Sequence, residues 1–269
     1  MRFEDKIKRL QKIIFGYGSC AIAFSGGVDS TFLLKIASLV LPKSKLLAVT
    51  ADSPTYPPEE LRQAKEIARR LKIRHAVIKT KELKDRRFSS NPVNRCYFCK
   101  KELFSKMHHL ASKYRITCVV DASNLSDAED FRPGSIARKE LNVRSPLVEA
   151  GFTKDDIRRL SRRLGLYTWN KPNLACLASR IPYGQEISVR LLKRIHTAEN
   201  YLKKMGFRQV RLRHYGSLCR IEVGNGEIYR LFKKRERIVD RLKELGYNYI
   251  TADLEGYRVG SLNEVIRNE

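Results

Sequence analysis

The sequence has no apolar run approaching the roughly 20 residues that a bilayer-spanning helix needs, and charges interrupt its first ten residues, Met1 to Leu10, throughout. Both absences lead to the expectation of a cytoplasmic protein with no membrane partner. Acidic residues are scarce: Asp+Glu number 29 against Lys+Arg 54, for a formal net charge of +25. The imbalance is spread along the chain, because residues 151–269 hold 25 basic and 13 acidic residues, leaving +12 there and +13 before them. No basic tail, RGG stretch, aromatic-interleaved segment, internal repeat or low-complexity tract is present. These absences count against nucleic acid as a partner without excluding it. An evenly basic surface still suits RNA, a substrate carrying several phosphates, or the solvated Lys/Arg-rich exterior of heat-adapted proteins.

What is present is enough for two domains, since 269 residues with 42% hydrophobic content can bury a substantial core. Residues 4–15 place Ile7, Leu10, Ile13 and Ile14 at helical spacing. Strands are expected at 20–24, 46–50, 75–78 and 116–120, with helices between them to about residues 40, 71 and 114 and a loop over 80–95. This alternation predicts an α/β fold with a doubly wound, mostly parallel sheet covered on both faces. A Thr153-capped helix to about Leu164 follows, then the aperiodic stretch Asn170 to Gly184. From Ser188 the pattern changes to a helix, two strand-like runs (209–212 and 218–223), a helix over about 227–245 and a strand over 247–251, a smaller C-terminal α+β domain. The expected division is 1–170 for the first domain and 185–269 for a second domain serving substrate binding or oligomerisation, joined by the loop carrying Cys176. A homo-oligomer is expected.

The organising stretch is Ser25-Gly26-Gly27-Val28-Asp29-Ser30, between the apolar run Ala21 to Phe24 and a helix-like run from Thr31. A strand feeding two glycines and a helix start offers successive backbone N–H groups and the positive end of a helix dipole to an anion. Ser25 and Ser30 add hydroxyls, and Asp29 is placed to cap the helix or help hold Mg²⁺. No lysine follows as in the Walker pattern. The hexapeptide instead resembles the PP-loop of ATP pyrophosphatases, whose fold is that of the adenine nucleotide alpha hydrolases, and which cleave ATP between the α and β phosphates. Ligands of such sheets sit at the carboxyl ends of strands, so adenine and ribose are expected near Thr50, Asp52 and Ser53. Asp121, Asn124 and Asp127 follow the fourth strand, with Asp121 and Asp127 candidates for Mg²⁺ and Arg132 for the nucleotide phosphates.

Six cysteines without a recognisable secretion signal point to metal or catalytic thiols rather than disulfides. Cys20, Cys118 and Cys219 lie in or beside apolar strand-like runs and read as small buried hydrophobes. Cys96-Tyr97-Phe98-Cys99 opens a helix, where the dipole lowers thiol pKa, and Cys176 stands in the aperiodic stretch. Spacing alone leaves three readings level: a [4Fe-4S] cluster with one open iron, a zinc site completed by His108 or His109, and a redox pair.

Four further segments carry a wider resemblance: Asn91 to Lys100, Asp130-Phe131-Arg132-Pro133-Gly134, Pro172 to Gly184, and Asp253-Leu254-Glu255-Gly256-Tyr257-Arg258. With Ser25 to Ser30 they are similar to the LarE family of ATP-dependent sulfur transferases, over essentially the whole chain. The resemblance implies that ATP adenylates a carboxylate of a pyridinium-3,5-biscarboxylate mononucleotide, releasing pyrophosphate, and that sulfur then displaces AMP to leave a thiocarboxylate. It implies two sulfur sources. One branch of the family sacrifices the cysteine matching Cys176; in the other, cysteines matching Cys96, Cys99 and Cys176 hold a [4Fe-4S] cluster that carries sulfide. With all three cysteines present, the cluster branch is expected. Arg211, Arg213 and Arg258 become candidates for the substrate phosphate and Arg180 for its carboxylate. The competing reading is a PP-loop tRNA thiolase, which the charge suits; a nucleotide-sensing or zinc-stabilised binding module is the non-enzymatic alternative.

Overall fold

The computed structural model describes residues 3–129, 133–172, 175–258 and 260–264. In chain order the elements begin with α1 (Phe3–Gly16), β1 (Cys20–Ala23), α2 (Val28–Val40), β2 (Leu46–Asp52), α3 (Pro58–Arg70) and β3 (Arg74–Lys79). They continue with α4 (Arg86–Ser89), α5 (Arg95–Lys113), β4 (Cys118–Val120), α6 (Gly134–Glu140), α7 (Pro146–Glu149) and α8 (Lys154–Arg163). The remainder are α9 (Val189–Lys204), β5 (Val210–Tyr215), β6 (Leu218–Val223), α10 (Ile228–Lys233), α11 (Arg235–Glu244) and β7 (Tyr249–Ala252). Contacts divide the chain into two units: Met1–Glu82 with Asn94–Leu174, and Leu83–Val93 with Ala175–Glu269.

In the first unit the sheet is wholly parallel, in the order β3-β2-β1-β4. β1, β2 and β4 read as nearly continuous apolar runs because both faces are covered, whereas β3, at the edge, carries Arg74, His75 and Lys79 and is only partly buried. Cys20, Ile22, Ala48 and Val120 point into a core with Phe32 and Leu33 of α2, Ala64 and Ala68 of α3 and Ile157 of α8. Ala21, Leu47, Val49 and Val119 point the other way, onto Leu103, Phe104 and Met107 of α5. From β1 the chain winds outward through β2 to β3, then crosses to place β4 on the other flank of β1. The strand order therefore reverses beside β1, and the carboxyl end of β1 is where such a sheet opens a crevice. The fourth strand is shorter than the 116–120 expected: Ile116 N–H donates to Ala111 O at 2.9 Å, closing the helix before the strand begins. Helix α8 has the expected Thr153 cap, with a capping box to Asp156.

The second unit carries a sheet in the order β5-β6-β7, antiparallel between β5 and β6 and parallel between β6 and β7. α9 buries Leu192, Ile195, Ala198 and Leu202. The helix expected over 227–245 is two helices, broken at Lys234, whose Nζ donates to Met205 O at 3.0 Å. The last strand starts two residues late because Tyr247 turns inward and is buried. The 80–95 stretch, expected as loop, contains α4, capped by Asp85, and the fully buried Asn91. Asn91 sits at φ +60°. Its Nδ2 donates to Ile181 O (3.3 Å) and Pro182 O (2.6 Å), and its carbonyl accepts from Gly184 N–H at 2.9 Å. Ser89 O takes Ile187 N–H at 2.7 Å. No helix among the described residues is long and apolar enough to cross a membrane.

Candidate active site

The Ser25 to Ser30 loop joins β1 to α2 at the reversal in strand order. Gly26 has φ +69°, and a Cβ there would stand 3.2 Å from Ala64 Cα and 3.3 Å from Ala64 N, so its backbone conformation and the closeness of α3 both require glycine. Ser25 and Ser30 hydroxyls lie 3.2 Å apart, and Ser25 Oγ also accepts Gly27 N–H at 3.2 Å. The hydroxyls thus shape the loop they belong to. The residue at the helix cap is Gly27, with no side-chain cap, so the expected capping role of Asp29 does not hold. Asp29 lies in the first turn of α2, where Lys154 Nζ meets its Oδ2 at 2.5 Å. Its Oδ1 is buried and has no hydrogen-bond partner among the described residues. A second lysine completes the loop from outside: Lys171 Nζ donates to Gly26 O (3.3 Å) and to Glu60 Oε2 of α3 (2.8 Å).

At the end of β2, Thr50 Oγ1 donates to Phe24 O at 2.6 Å and stands 2.8 Å from His75 Nε2. Burial, with Lys65 nearby, lowers the His75 pKa, keeping the ring neutral. Having given its proton to Phe24 O, the Thr50 hydroxyl accepts from His75 Nε2–H, tying β1, β2 and β3 together. Thr50 therefore frames the crevice through bonds to protein. Ser53 and Thr55 both bond the buried carboxylate of Glu82, whose Oε2 has no partner among the described residues. Asp52 is half-buried at the strand end. After β4, Asp121 accepts Ser123 N–H (3.2 Å) and Ser145 Oγ–H (2.6 Å) on one oxygen and Ser123 Oγ–H (2.7 Å) on the other. These bonds turn Asp121 toward Ser123 of its own loop and Ser145 before α7. Asp127 Oδ2 accepts Asn124 N–H at 3.0 Å, and Asn124 Oδ1 accepts Ser126 N–H at 3.0 Å. Arg132 lies outside the described residues. Among those described, no three His, Cys, Asp or Glu side chains form a group able to hold a metal ion.

The six cysteines are thiols. Cys20 and Cys219 are buried and pushed up to about 12, and Cys118 is also pushed up, burial being the main cause in each. Cys20 pairs in register with Cys118 across β1 and β4. Cys96 and Cys99 occupy the first turns of α5, Cys96 exposed and Cys99 half-buried.

In the second unit, half-buried Cys176 begins a short turn over Leu177–Arg180. Arg180 builds this turn: its Nη1 donates to Ala175 O (2.9 Å), Cys176 O (3.0 Å) and Ser179 Oγ (2.9 Å). Its Nε and Nη2 bond the two oxygens of Glu199, at 2.8 and 3.1 Å, and both residues are buried. The guanidinium expected to meet a substrate carboxylate is instead committed to Glu199 and the Cys176 turn. Burial is the largest single influence on Glu199 and raises it, but Arg180, Arg211 and Lys203 together hold it below the usual carboxylate range. Arg213 is likewise engaged within the protein, bonding Glu222 through Nε (2.7 Å) and Nη2 (2.8 Å), Ser179 O and Ser261 Oγ. Arg211 is buried over the Tyr257 ring, 5.1 Å from its centre. Burial, then repulsion from Arg180, lowers its pKa. Arg258 is half-exposed and pairs with Glu255 (2.7 Å) and Glu264 (2.9 Å).

Lys154, Lys171, Glu199 and Glu222 were not singled out from sequence. Glu199 left a signal, since it falls on the apolar stripe of α9 with Ile195, Ala198 and Leu202 at spacings of three and four. Lys171 and Lys154 left none among so many lysines.

A wholly parallel sheet with a glycine loop and helix start at its reversal point is the arrangement of PP-loop, ATP-utilising enzymes. A family model described as NAD synthase matches residues 7–124, from within α1 to the turn after β4. Over 97% of its length the chain is 34% identical to pyridinium-3,5-bisthiocarboxylic acid mononucleotide synthase of Lactiplantibacillus plantarum, covering 92% of that protein. It is 41% identical to an uncharacterised protein of Synechocystis over 98% of both chains. An uncharacterised protein of Methanocaldococcus jannaschii is 29% identical over 94% of the chain and 96% of its own length. The chain belongs to the LarE family, the ATP-dependent sulfur transferases that include the Lactiplantibacillus synthase.

Proposed function

We propose that this protein acts in the cytoplasm on pyridinium-3,5-biscarboxylic acid mononucleotide, converting its carboxylates to thiocarboxylates. A carboxylate oxygen of the substrate attacks the α-phosphorus of ATP, the α–β bridging bond breaks, and pyrophosphate leaves. Hydrosulfide then attacks the acyl carbon, and AMP departs with the C–O electron pair. Where the attacking sulfur is that of Cys176, the thioester so formed must next lose its Cβ–S bond as the Cys176 α proton is removed, which frees the thiocarboxylate and leaves dehydroalanine. A carboxylate resists nucleophiles until its oxygen becomes such a leaving group, so the enzyme's task is to stabilise the departing pyrophosphate. The observation that carries this reading is the Gly26 and Gly27 loop at the sheet's reversal point in a chain alike along its whole length to a synthase of the bisthiocarboxylate nucleotide.

Pyrophosphate is assigned to the loop N–H groups and to Lys154, which also offsets the repulsion between Asp29 and an anion. Mg²⁺ fits the hard oxygen donors here: Asp29, with its unpartnered buried oxygen, supplies one ligand, and phosphates and water supply the rest, the usual habit of Mg²⁺. Arg211 and Arg258 are assigned to the substrate phosphate. Arg211 is buried with Arg180 and Arg213 as well as Glu199 acting on it, so an added anion offsets the repulsion that Glu199 does not cancel, and Arg258 can exchange its exposed carboxylates for phosphate. Asp121, Asn124 and Asp127 shape the nucleotide side of the crevice.

The sulfur is assigned to the thiols Cys96, Cys99 and Cys176. Three accessible thiols, two of them on the first turns of one helix, suit in donor chemistry a [4Fe-4S] cluster with one open iron. When bound, that group would supply replaceable sulfide. The test is anaerobic incubation with ATP, the biscarboxylate nucleotide and sulfide, with AMP, pyrophosphate and product followed by mass spectrometry. ADP and orthophosphate as products, or no mass gain of sulfur for oxygen, would sink the reading.

A further inference from the structure

The phosphate loop lacks the lysine of Walker loops, yet a lysine grips it from elsewhere in the first unit. We infer that Lys171, anchored by Glu60, is a positioning residue that fixes the Gly26–Gly27 peptide with its N–H toward the anion site. This rests on the reading of Ser25 to Ser30 as a pyrophosphate loop and adds what keeps that loop in its binding orientation.

In a trans peptide the carbonyl and the following N–H point in opposite directions. Gly26 O is held by Lys171 Nζ at 3.3 Å, so Gly27 N–H is directed to the other side, where it meets Ser25 Oγ at 3.2 Å. Two adjacent glycines have little intrinsic preference between this orientation and its flip, because neither carries a Cβ to penalise the alternative backbone angles. The flip would turn a carbonyl oxygen toward the place where a phosphate oxygen binds, replacing a donor by an acceptor. Ser25 Oγ chooses only weakly: it accepts Gly27 N–H while its own proton faces Ser30 Oγ at 3.2 Å, and a turn of the hydroxyl would let it donate to C=O instead at the cost of that one long bond. Lys171 can choose, because an ammonium group has only donors. Its own place is fixed at both ends. Nζ pairs with Glu60 at 2.8 Å, with both side chains largely buried, and the Lys171 carbonyl accepts Arg158 Nη2 at 2.9 Å. Glu60 stands in the first turn of α3, the helix whose Ala64 packs against Gly26, so one helix holds both sides of the glycine.

Direct electrostatic attraction of the anion by Lys171 makes a different prediction, and Glu60 separates the two. Removing the Glu60 charge leaves a more positive site, which tightens anion binding if Lys171 acts by its field alone. It weakens anion binding if Glu60 serves to aim Lys171 at Gly26 O. The experiment measures dissociation constants of pyrophosphate and of adenosine by calorimetry, and ATP kinetics, for wild type, Lys171→Met, Lys171→Arg and Glu60→Gln. Expected are at least tenfold weaker pyrophosphate binding and a raised KM for ATP in Lys171→Met, partial recovery in Lys171→Arg, and weakening in Glu60→Gln. Adenosine affinity should stay within twofold throughout, which general loosening of the unit would not allow. Tighter pyrophosphate binding by Glu60→Gln, or unchanged binding by Lys171→Met, overturns the inference while leaving the pyrophosphate loop intact. A wild type that binds no pyrophosphate overturns the loop reading itself.

Discussion

Arg180→Met removes the cation from a carboxylate that is only 1% exposed. Two charge-assisted bonds to Glu199 vanish, as do three bonds that shape the turn at Cys176. Breaking a buried ion pair from one side typically costs about 3 to 5 kcal/mol, mostly because the remaining charge is stranded. At about 1.4 kcal/mol per decade, amide exchange of α9 and β5, read by mass spectrometry, should accelerate by between about two and three and a half orders of magnitude. The effect also has a sign in pH. In the wild type Glu199 is held below its ordinary value, so its contribution is full above that value and is lost as pH falls through the folded pKa. In Arg180→Met burial becomes the dominant influence and raises Glu199. The variant is then penalised at neutral pH and recovers as pH falls through the raised pKa toward the ordinary value. The gap between variant and wild type should therefore be larger at pH 7.5 than at pH 5. An equal gap at both pH values, or a loss under about 1 kcal/mol, the worth of an exposed pair, would refute the claim that this pair is buried and ionised.

Gly26→Ala places a Cβ against Ala64 and forces an L-residue to positive φ, at about 1 to 2 kcal/mol for the backbone alone; AMP and pyrophosphate formation should cease while circular dichroism stays unchanged. Asp29→Asn should lower turnover more than ATP affinity, with its Mg²⁺ requirement shifted upward in a metal titration. Arg211→Ala and Arg258→Ala should each weaken pyridinium nucleotide binding by about 1.5 to 3 kcal/mol, the worth of one charge-assisted phosphate contact, with ATP binding unchanged; wild-type substrate affinity in both would place the phosphate elsewhere. For the sulfur source, Cys96→Ala should lose activity as completely as Cys176→Ala, with more than one product per chain when sulfide is supplied. A Cys176 lighter by about 34 Da after one turnover, the H₂S lost in a covalent route, with Cys96→Ala still active, would establish sacrifice instead.

The parallel sheet was legible because strands buried on both faces are continuous apolar runs at βαβ spacing, and the glycine loop because its backbone demands are local. Partners reached across the chain were not. Nothing near Arg180 in sequence announces Glu199, nor does anything near Gly26 announce Lys171, 145 residues on. Arginines counted as ligand candidates divide only once burial is known, Arg180 and Arg213 facing carboxylates of the fold and Arg258 the exterior. The helix expected over 227–245 shows the same limit: apolar periodicity runs through the break at Lys234, while the Met205 and Gly206 carbonyls that Arg230 and Lys234 reach lie 24 to 29 residues earlier in the chain.

The Leu83–Val93 segment bears on how the protein is made. The second unit is closed by a segment translated well before the rest of it, with Asn91 bonded to Ile181 90 residues later. At ribosomal speeds of roughly 5 to 20 residues per second, Asn91 waits about 5 to 18 s for its acceptors. A fragment beginning at Ala175 would never receive it, and the carbonyls of Ile181 and Pro182 would lack their donor. The C-terminal unit is thus not a separable cassette, and gene fusion or shuffling that moves it must carry the earlier segment along.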